Sequence, residues 1–310
     1  MTSGTSTGRA LRHSLRAVLG ESWLASLGMA VTLLRGACAV PASAFLAALS
    51  WLSLRGAVAS GSTPEEAIAL AASILASPRV MAIALGLWLS GWLLWGAVRV
   101  AWISGSLAAL GSPLSGVTDG SPRFAAGVAY RFGRVLGSAL LALLLDLAGQ
   151  AALGSALIGA VIVSSRAREL HAPAATGALV AAAVALSAFA AASLSVVGDG
   201  AVARAALAGD PPGRAVGRSA LAFARRPAAF LAAALGVLVA TALAVGSVQS
   251  FFGVLATFAT GAPRFLLAGS QLFLAALLAL LAAAAELWRL SAIGVLALGA
   301  DPAPEEPARA

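Results

Sequence analysis

Six apolar runs, each longer than one membrane crossing requires, constrain most strongly how this chain can fold. They cover residues 24–54, 80–110, 133–163, 173–208, 227–260 and 265–299. A helix crosses the hydrocarbon core of a bilayer with about 20 apolar residues, and none of the runs alternates with the period of two that marks a membrane β-barrel. Only 10% of the residues are charged, against about 25% in soluble domains. The sequence therefore predicts an all-α polytopic membrane protein with six transmembrane helices.

A motif at the start of alternate runs occurs three times. Gly8-Arg9-Ala10-Leu11 is matched by Gly213-Arg214-Ala215-Val216, and Ser121-Pro122-Arg123-Phe124 opens a weaker copy. The second, fourth and sixth runs each end in a glycine that is followed closely by a proline, a common way to end a helix. These features predict a single membrane domain over residues 1–310, made of three repeated helical hairpins at about 8–113, 121–211 and 213–302. Residues 1–7 and 301–310 have the composition of disordered tails.

Each hairpin is predicted to be preceded by a basic amphipathic helix. In the first segment, Arg9, Arg12 and Arg16 fall on one face of a helix, and Leu11 and Leu15 fall largely on another. Arginines in the three segments are expected to contact anionic lipids of the inner leaflet, each attracted by about 1 kcal/mol near the surface. They are Arg9, Arg12, Arg16, Arg123, Arg131, Arg134, Arg214, Arg218, Arg225 and Arg226. The alternative is that these arginines only orient the neighbouring membrane helices.

The distribution of arginine predicts the orientation of the chain. The net charge of +8 comes from arginine, since the sequence contains no lysine. Fourteen of the 20 arginines lie before the first run, after the sixth, in the second-to-third and fourth-to-fifth connections, or in the parts of the runs next to these segments. The positive-inside rule then puts both termini in the cytoplasm, for a protein of a bacterial inner membrane. Nucleic acid is not an expected partner, because these dispersed arginines are not interleaved with aromatic residues.

Two charged residues lie well inside their apolar runs and apart from the charges near the predicted inner leaflet, Arg35 in the first and Asp146 in the third. A charge at the centre of a membrane helix costs about 2.5–3.5 kcal/mol on the insertion scale. The two positions are at similar depth in their repeats, so we predict an intramembrane charge pair that locks the first helix against the third. The alternative is that both belong to the pathway of a small-molecule permease.

A second set of charges is predicted to form a layer near the inner leaflet. Arg99, Asp199 and Glu286 lie 12, 10 and 13 residues before the terminal glycines of their repeats, so they share one depth. Arg289 follows Glu286 by one helical turn, and we expect these two to pair locally. The alternative is that the layer forms the floor of a charged cavity.

Two local features are predicted in the remaining chain. Thr63-Pro64-Glu65-Glu66 is typical of a helix start, with threonine as the cap and acids in the first turn. In the long run at 227–260, Gly246-Ser247 and Gln249 predict a break in the helix.

No catalytic residue, metal or cofactor is predicted, so we expect a protein that is not an enzyme. His13 and His171 belong to opposite sides of the predicted membrane, and the single cysteine, Cys38, lies within the first run. The sequence shows no nucleophile elbow, no zinc-ligand spacing and no phosphate-binding glycine loop. These absences favour a scaffold or a lipid-associated module that contacts membrane lipids and other membrane proteins, with a permease using Arg35 and Asp146 as the alternative.

A family resemblance agrees with this interpretation. Ser219, Phe223, Arg225-Arg226-Pro227 and Phe230, running into a long apolar helix, resemble the repeated unit of uncharacterised bacterial polytopic membrane proteins. That group includes the membrane region attached to some glycerophosphodiester phosphodiesterases. The resemblance implies a six-helix membrane module, and no phosphodiesterase activity is expected from it. Three repeats of two helices are also similar to mitochondrial carriers, but their signature of proline, acid and base is missing here.

Overall fold

All regular secondary structure in the described part of the chain is α-helical. The computed structural model describes residues 6–115, 121–167, 173–258 and 264–299. The helices there are α1 (Thr7–Gly20), α2 (Ser22–Ala59), α3 (Pro64–Leu75), α4 (Pro78–Ser115), α5 (Ser121–Ala167), α6 (Pro173–Leu207), α7 (Pro212–Arg225), α8 (Pro227–Phe258) and α9 (Arg264–Leu298). Six of them, α2, α4, α5, α6, α8 and α9, are long and apolar enough to cross a membrane. The predicted all-α architecture with six long apolar helices is confirmed, while the predicted tails lie almost wholly outside the described residues.

Three of the long helices form the centre of the bundle. α4, α6 and α9 contact one another, and each of the other long helices packs between two of them. α2 lies between α4 and α9, α5 between α4 and α6, and α8 between α6 and α9. Five of these six outer contacts are extensive, whereas α6 and α8 touch only slightly. The bundle is therefore closed around most of its circumference and parted between α6 and α8.

Small residues allow the most extensive of these contacts, between α5 and α6. A Cβ atom added to Gly149 would lie 2.9 Å from the Cα atom of Ala191. One added to Gly198 would lie 2.9 Å from the Cβ atom of Ala142. Glycine and alanine thus bring the two backbones together, which is the usual way helices pack in a membrane, where there is no hydrophobic force between them.

The short helix α3 begins as the sequence predicts. The Thr63 side chain accepts a hydrogen bond from the Glu66 backbone N–H at 3.3 Å, and the Glu66 carboxylate accepts one from the Thr63 backbone N–H at 2.9 Å. This reciprocal capping box satisfies two donors that the first turn of a helix otherwise leaves unpaired. α3 packs against α2 and α4.

Two predictions about helix ends are wrong. The basic segment from residue 121 is not a separate helix, because it continues without interruption into α5. The predicted break at Gly246-Ser247 is also absent, and α8 runs unbroken to Phe258. The Ser247 hydroxyl donates to the Leu243 carbonyl within the helix at 2.8 Å, so this polar residue is satisfied locally. An unbroken helix pairs every backbone group internally, which apolar surroundings require.

Tight packing is concentrated at one end of the bundle, which we call the closed end. It consists of the last four turns of α4, α6 and α9 together with α1, α7 and the first turns of α5. Its fully buried residues include Leu107, Leu110, Ala203, Ile293 and Ala297. The Trp288 indole N–H donates to the Leu11 carbonyl of α1 at 2.9 Å, and the Ser219 hydroxyl of α7 donates to the Val197 carbonyl of α6 at 2.9 Å. These hydrogen bonds attach α1 to α9 and α7 to α6.

The opposite half of the bundle exposes large apolar side chains. Four leucines there are between 66% and 73% exposed, namely Leu93 on α4, Leu186 on α6, Leu243 on α8 and Leu272 on α9. Soluble monomers rarely present apolar surface on this scale. This half is therefore the part of the molecule that requires an apolar environment.

Candidate functional site

The four residues of the predicted charge layer meet in the centre of the bundle. Arg99 on α4 forms an ion pair with Glu286 on α9, and Arg289 on α9 forms one with Asp199 on α6 at 3.2 Å. Because α4, α6 and α9 are in mutual contact, charges at one depth on the three helices come within reach of one another. The layer therefore ties the three central helices together.

The pairing within this layer differs from the local one that we expected. Glu286 and Arg289 lie one turn apart on α9, yet each binds a partner on another helix. In a helix–helix interface, the facing side chains are as close as those of the next turn, and a cross-helix pair shields both charges from apolar surroundings. The predicted local pair between Glu286 and Arg289 is not formed.

The electrostatic surroundings of Asp199 extend to a fifth charged group. The arginines that act on its carboxylate are Arg289 and Arg99, and the acids are Asp146 and Glu286. Asp146 lies on α5, which packs closely against α6. The charge layer thus has two guanidinium groups and two carboxylates, and the Asp146 carboxylate lies near enough to act on Asp199. Asp146 forms no ion pair within the described residues.

The predicted pair of Arg35 and Asp146 is not formed. Arg35 is exposed on α2 and Asp146 is exposed on α5, and these two helices do not contact each other. The Arg35 guanidinium instead lies 5.3 Å from the ring centre of Trp95, and that of Arg99 lies 5.5 Å from the same ring. Cation–π contacts of this kind stabilise a cation at an apolar surface. The two residues match in depth but lie on different sides of the bundle.

A cleft opens beside the charge layer. It has a volume of about 870 Å³ and is lined by α6, α8 and α9, with Arg99 contributed by α4. The charged residues Arg99, Asp199, Glu286 and Arg289 line one part of it. The remaining wall is mostly apolar, including Leu231, Leu235 and Leu238 of α8 and Ala192 of α6. The cleft follows from the slight contact between α6 and α8.

Three of the arginines that are predicted to contact lipid also bind groups within the protein. Arg131 donates to the backbone carbonyls of Ala206 and Leu207, and Arg134 donates to that of Gly209. Both thereby satisfy carbonyls at the end of α6, where a helix leaves its last acceptors unpaired. Arg218 lies 3.3 Å from the carboxylate of Asp210. A capping or pairing role accounts for these three side chains without lipid.

Other basic residues face away from the bundle. On α1, Arg9, Arg12 and Arg16 are exposed, while Ala10 and Ser14 on the opposite face are buried. On α7, Arg214 and Arg225 are exposed, while Ala215, Ser219 and Ala222 are buried. Arg123 is exposed and Arg226 is half-buried. The closed end thus presents guanidinium groups on its outer surface.

A buried charge cluster at the end of α6 was not predicted from the sequence. Arg204 is fully buried, donates to the Asp210 carboxylate at 2.9 Å, and also donates to the Ala297 carbonyl at the end of α9 at 2.9 Å. Asp210 joins this pair to Arg218 of α7. The available signal was an acid six residues after an arginine and beside a helix-ending glycine. From the sequence, that segment predicts only the end of a helix.

Within the described residues, no group of three or more histidine, cysteine, aspartate or glutamate side chains is arranged to hold a metal ion. Cys38 is a free, half-buried thiol on α2, and His171 lies outside the described residues.

Comparison with known proteins yields no relative. The chain matches no protein-family model, no curated protein and no solved structure. The resemblance to membrane regions of phosphodiesterases accordingly stays a prediction.

Proposed function

We propose that this protein is a non-enzymatic, lipid-associated module of a bacterial inner membrane. The observation that carries the proposal is the outward-facing arginine surface of α1 and α7. Arg9, Arg12 and Arg16 are exposed on a helix whose opposite face is buried in the bundle. Exposed arginines beside anionic headgroups gain about 1 kcal/mol each near the surface.

Apolar residues beside these arginines support an interfacial position. Leu19 and Trp23 follow the α1 arginines and are 66% and 41% exposed, and Leu221 of α7 is 53% exposed. A helix with exposed arginine and exposed leucine at one level suits the boundary between headgroups and acyl chains. The closed end then lies at the inner leaflet, with both termini in the cytoplasm.

The contact pattern supports a threefold duplication. Each hairpin consists of an outer helix followed by a central one, namely α2 with α4, α5 with α6, and α8 with α9. The segment before each hairpin packs on a central helix of the preceding hairpin in a cyclic order. α1 contacts α9, the start of α5 contacts α4, and α7 contacts α6. Three repeats arranged around an axis would produce this cycle.

Lipid selectivity of the reconstituted full chain tests the proposal. The variant Arg9→Gln/Arg12→Gln/Arg16→Gln is compared with the wild type in vesicles of mixed phosphatidylglycerol and phosphatidylcholine, using spin-labelled lipids of both kinds. We expect the preference for phosphatidylglycerol to fall in the glutamine variant. The matched variant Arg9→Lys/Arg12→Lys/Arg16→Lys keeps the charge and is expected to keep the preference. Unchanged selectivity in the glutamine variant would show that these arginines only orient the helices.

Thiol labelling in intact cells tests the orientation. In a Cys38→Ser background, a cysteine at Ser60, beyond the end of α2, is expected to react with an impermeant reagent from outside the cell. A cysteine at Gly213, in the first turn of α7, is expected to react only after lysis. The opposite pattern of labelling would place the termini outside.

Transport through Arg35 and Asp146 has less support. The two residues lie on helices that do not contact each other, so no pathway between them is defined by the packing. The charged layer beside the cleft offers a better-defined polar site.

A further inference from the structure

We propose that the cleft between α6 and α8 binds one phospholipid with an anionic headgroup. The phosphate lies at Arg99 and Arg289, and an acyl chain extends along the apolar wall of α8. This site is separate from the exposed arginines of α1 and α7, and it uses different residues. It gives the proposed lipid association one defined binding position inside the bundle.

The charges of the four ionised residues that line the cleft cancel, and it is the exposure of the arginines that favours an anion. The side chains of Arg99 and Arg289 are each 39% exposed, whereas their partners Glu286 and Asp199 are 20% and 17% exposed. In both pairs, the guanidinium group is therefore the more exposed partner. An anion that enters the cleft has more guanidinium than carboxylate surface to contact.

Both arginines also retain hydrogen-bonding capacity. In the described structure, each ion pair uses one terminal nitrogen, Nη2 of Arg99 and Nη2 of Arg289. An arginine carries five N–H donors in a planar fork that matches phosphate geometry. The Nε atom of Arg289 is buried and has no hydrogen-bond partner. The remaining terminal nitrogens of the two guanidinium groups are therefore the donors available to a phosphate while both ion pairs persist.

The shape of the cleft favours a lipid over a free anion. From the charged residues, the wall continues along α6, α8 and α9 over seven to ten residues, including Leu238 and Thr241 of α8 and Ala282 of α9. This distance is about 10–15 Å along the helices. The cleft is open along one side, where α6 and α8 are parted. A small soluble anion would leave this long apolar wall unfilled, whereas an acyl chain covers it.

The depth of the charges matches that of a lipid phosphate. Trp288 of α9, which lies between Glu286 and Arg289 in sequence, is hydrogen-bonded to Leu11 of α1. Val197, two residues before Asp199, is hydrogen-bonded to Ser219 of α7. The charge layer is therefore level with the two short helices that carry the outward-facing arginines, and a phosphate at this level needs no displacement from its leaflet.

Native mass spectrometry of the full chain, purified in mild detergent and titrated with dioleoyl phosphatidylglycerol or dioleoyl phosphatidylcholine, tests this site. The variant Ala192→Phe places a ring in the cleft. Its matched control is Ala190→Phe on the same helix, which is also exposed but does not line the cleft. We expect one phosphatidylglycerol to be retained per chain, and Ala192→Phe to weaken its binding by about tenfold or more, equivalent to about 1.4 kcal/mol. Ala190→Phe is expected to bind as the wild type does.

A second variant tests the headgroup contact without leaving a buried charge unpaired. Arg99→Gln/Glu286→Gln/Arg289→Gln/Asp199→Asn removes both ion pairs and keeps the side-chain sizes similar. We expect it to bind phosphatidylglycerol and phosphatidylcholine equally. Arg35→Gln, which removes an exposed arginine outside the cleft, is the charge control and is expected to retain the preference.

Three results would overturn the proposal. One is equal retention of phosphatidylglycerol by Ala192→Phe and by the wild type. Another is an unchanged preference in the fourfold variant. The third is competition of inorganic phosphate with the lipid at equal concentration, which would indicate a free-anion site. Loss of lipid binding only in the α1 glutamine variant would instead support the outer arginine surface and reject the cleft.

Discussion

Arg204 illustrates how a charged side chain can be buried in this bundle. It is the largest side chain that is fully buried in the described residues, and its guanidinium donates to the Asp210 carboxylate and to the Ala297 carbonyl. One acceptor supplies a compensating charge, and the other is a carbonyl at a helix end that needs a donor. The residue thereby connects the ends of α6 and α9.

Removal of Asp210 is expected to destabilise the closed end strongly. Asp210→Ala removes a carboxylate that forms an ion pair with the buried Arg204, and breaking a buried pair in this way costs about 3–5 kcal/mol. We expect a lower thermal midpoint of unfolding in detergent, measured by circular dichroism. Glu65→Ala, which removes an exposed carboxylate on α3, serves as the control and is expected to change the midpoint little. Equal midpoints for the two variants would contradict this assignment.

Gly28 is expected to tolerate no side chain. A Cβ atom there would overlap the Trp102 ring and would lie 2.8 Å from the Cβ atom of Ala283. Overpacking of this kind costs about 1–3 kcal/mol, so Gly28→Ala should lower the midpoint of unfolding. Gly36→Ala on the same helix meets no atom within 4 Å, and it is expected to be neutral or slightly stabilising. A destabilised Gly36→Ala together with a neutral Gly28→Ala would show that this interface is packed differently.

At the scale of the element, the sequence predicts most helices to within a few residues. The apolar runs at 173–208 and 265–299 correspond to Pro173–Leu207 and Arg264–Leu298, because apolar length and end signals are local properties of the chain. The continuity of α8 through Gly246-Ser247 was not predicted. In water, glycine and serine weaken a helix. In apolar surroundings no water competes for the backbone N–H and C=O groups, so the helix continues through these residues.

The cap of α3 is expected to act only locally. Thr63→Ala removes the capping box, and loss of an N-cap costs about 1 kcal/mol. We expect faster hydrogen exchange in residues 64–75 by mass spectrometry, with an unchanged midpoint for the whole protein. Ser73→Ala, on the same helix but away from its start, is expected to leave the exchange unchanged. A fall in the global midpoint for Thr63→Ala would show that α3 supports the entire bundle.

At the scale of the whole molecule, the sequence predicts the depth of a residue better than its direction. Equal distances from the terminal glycines identify Arg99, Asp199 and Glu286 as one layer, and the structure brings them together. The same reasoning fails for Arg35 and Asp146, because depth does not show which side of the bundle a residue faces. The order of helices around the bundle depends on contacts between distant segments, which no local pattern contains.

Double-mutant cycles distinguish these two pairs. Arg289→Gln and Asp199→Asn are expected to show an interaction energy within about 0.5–3 kcal/mol, as residues in direct contact do. Arg35→Gln and Asp146→Asn should be additive within about 0.3–0.5 kcal/mol. Both cycles are measured from denaturant unfolding in the same detergent. Strong coupling between Arg35 and Asp146 would indicate an ion pair between them and would contradict the structure.

The parted contact between α6 and α8 makes the six spanning helices mechanically unequal. Tilting α2 or α5 away from the axis would break two extensive interfaces, whereas tilting α8 breaks little beyond its contact with α9. A spanning helix adjusts its tilt when the thickness of the surrounding hydrocarbon changes. A change in bilayer thickness will therefore alter the tilt of α8 first. α8 would pivot about its contact with α9, while the other five helices keep their mutual contacts.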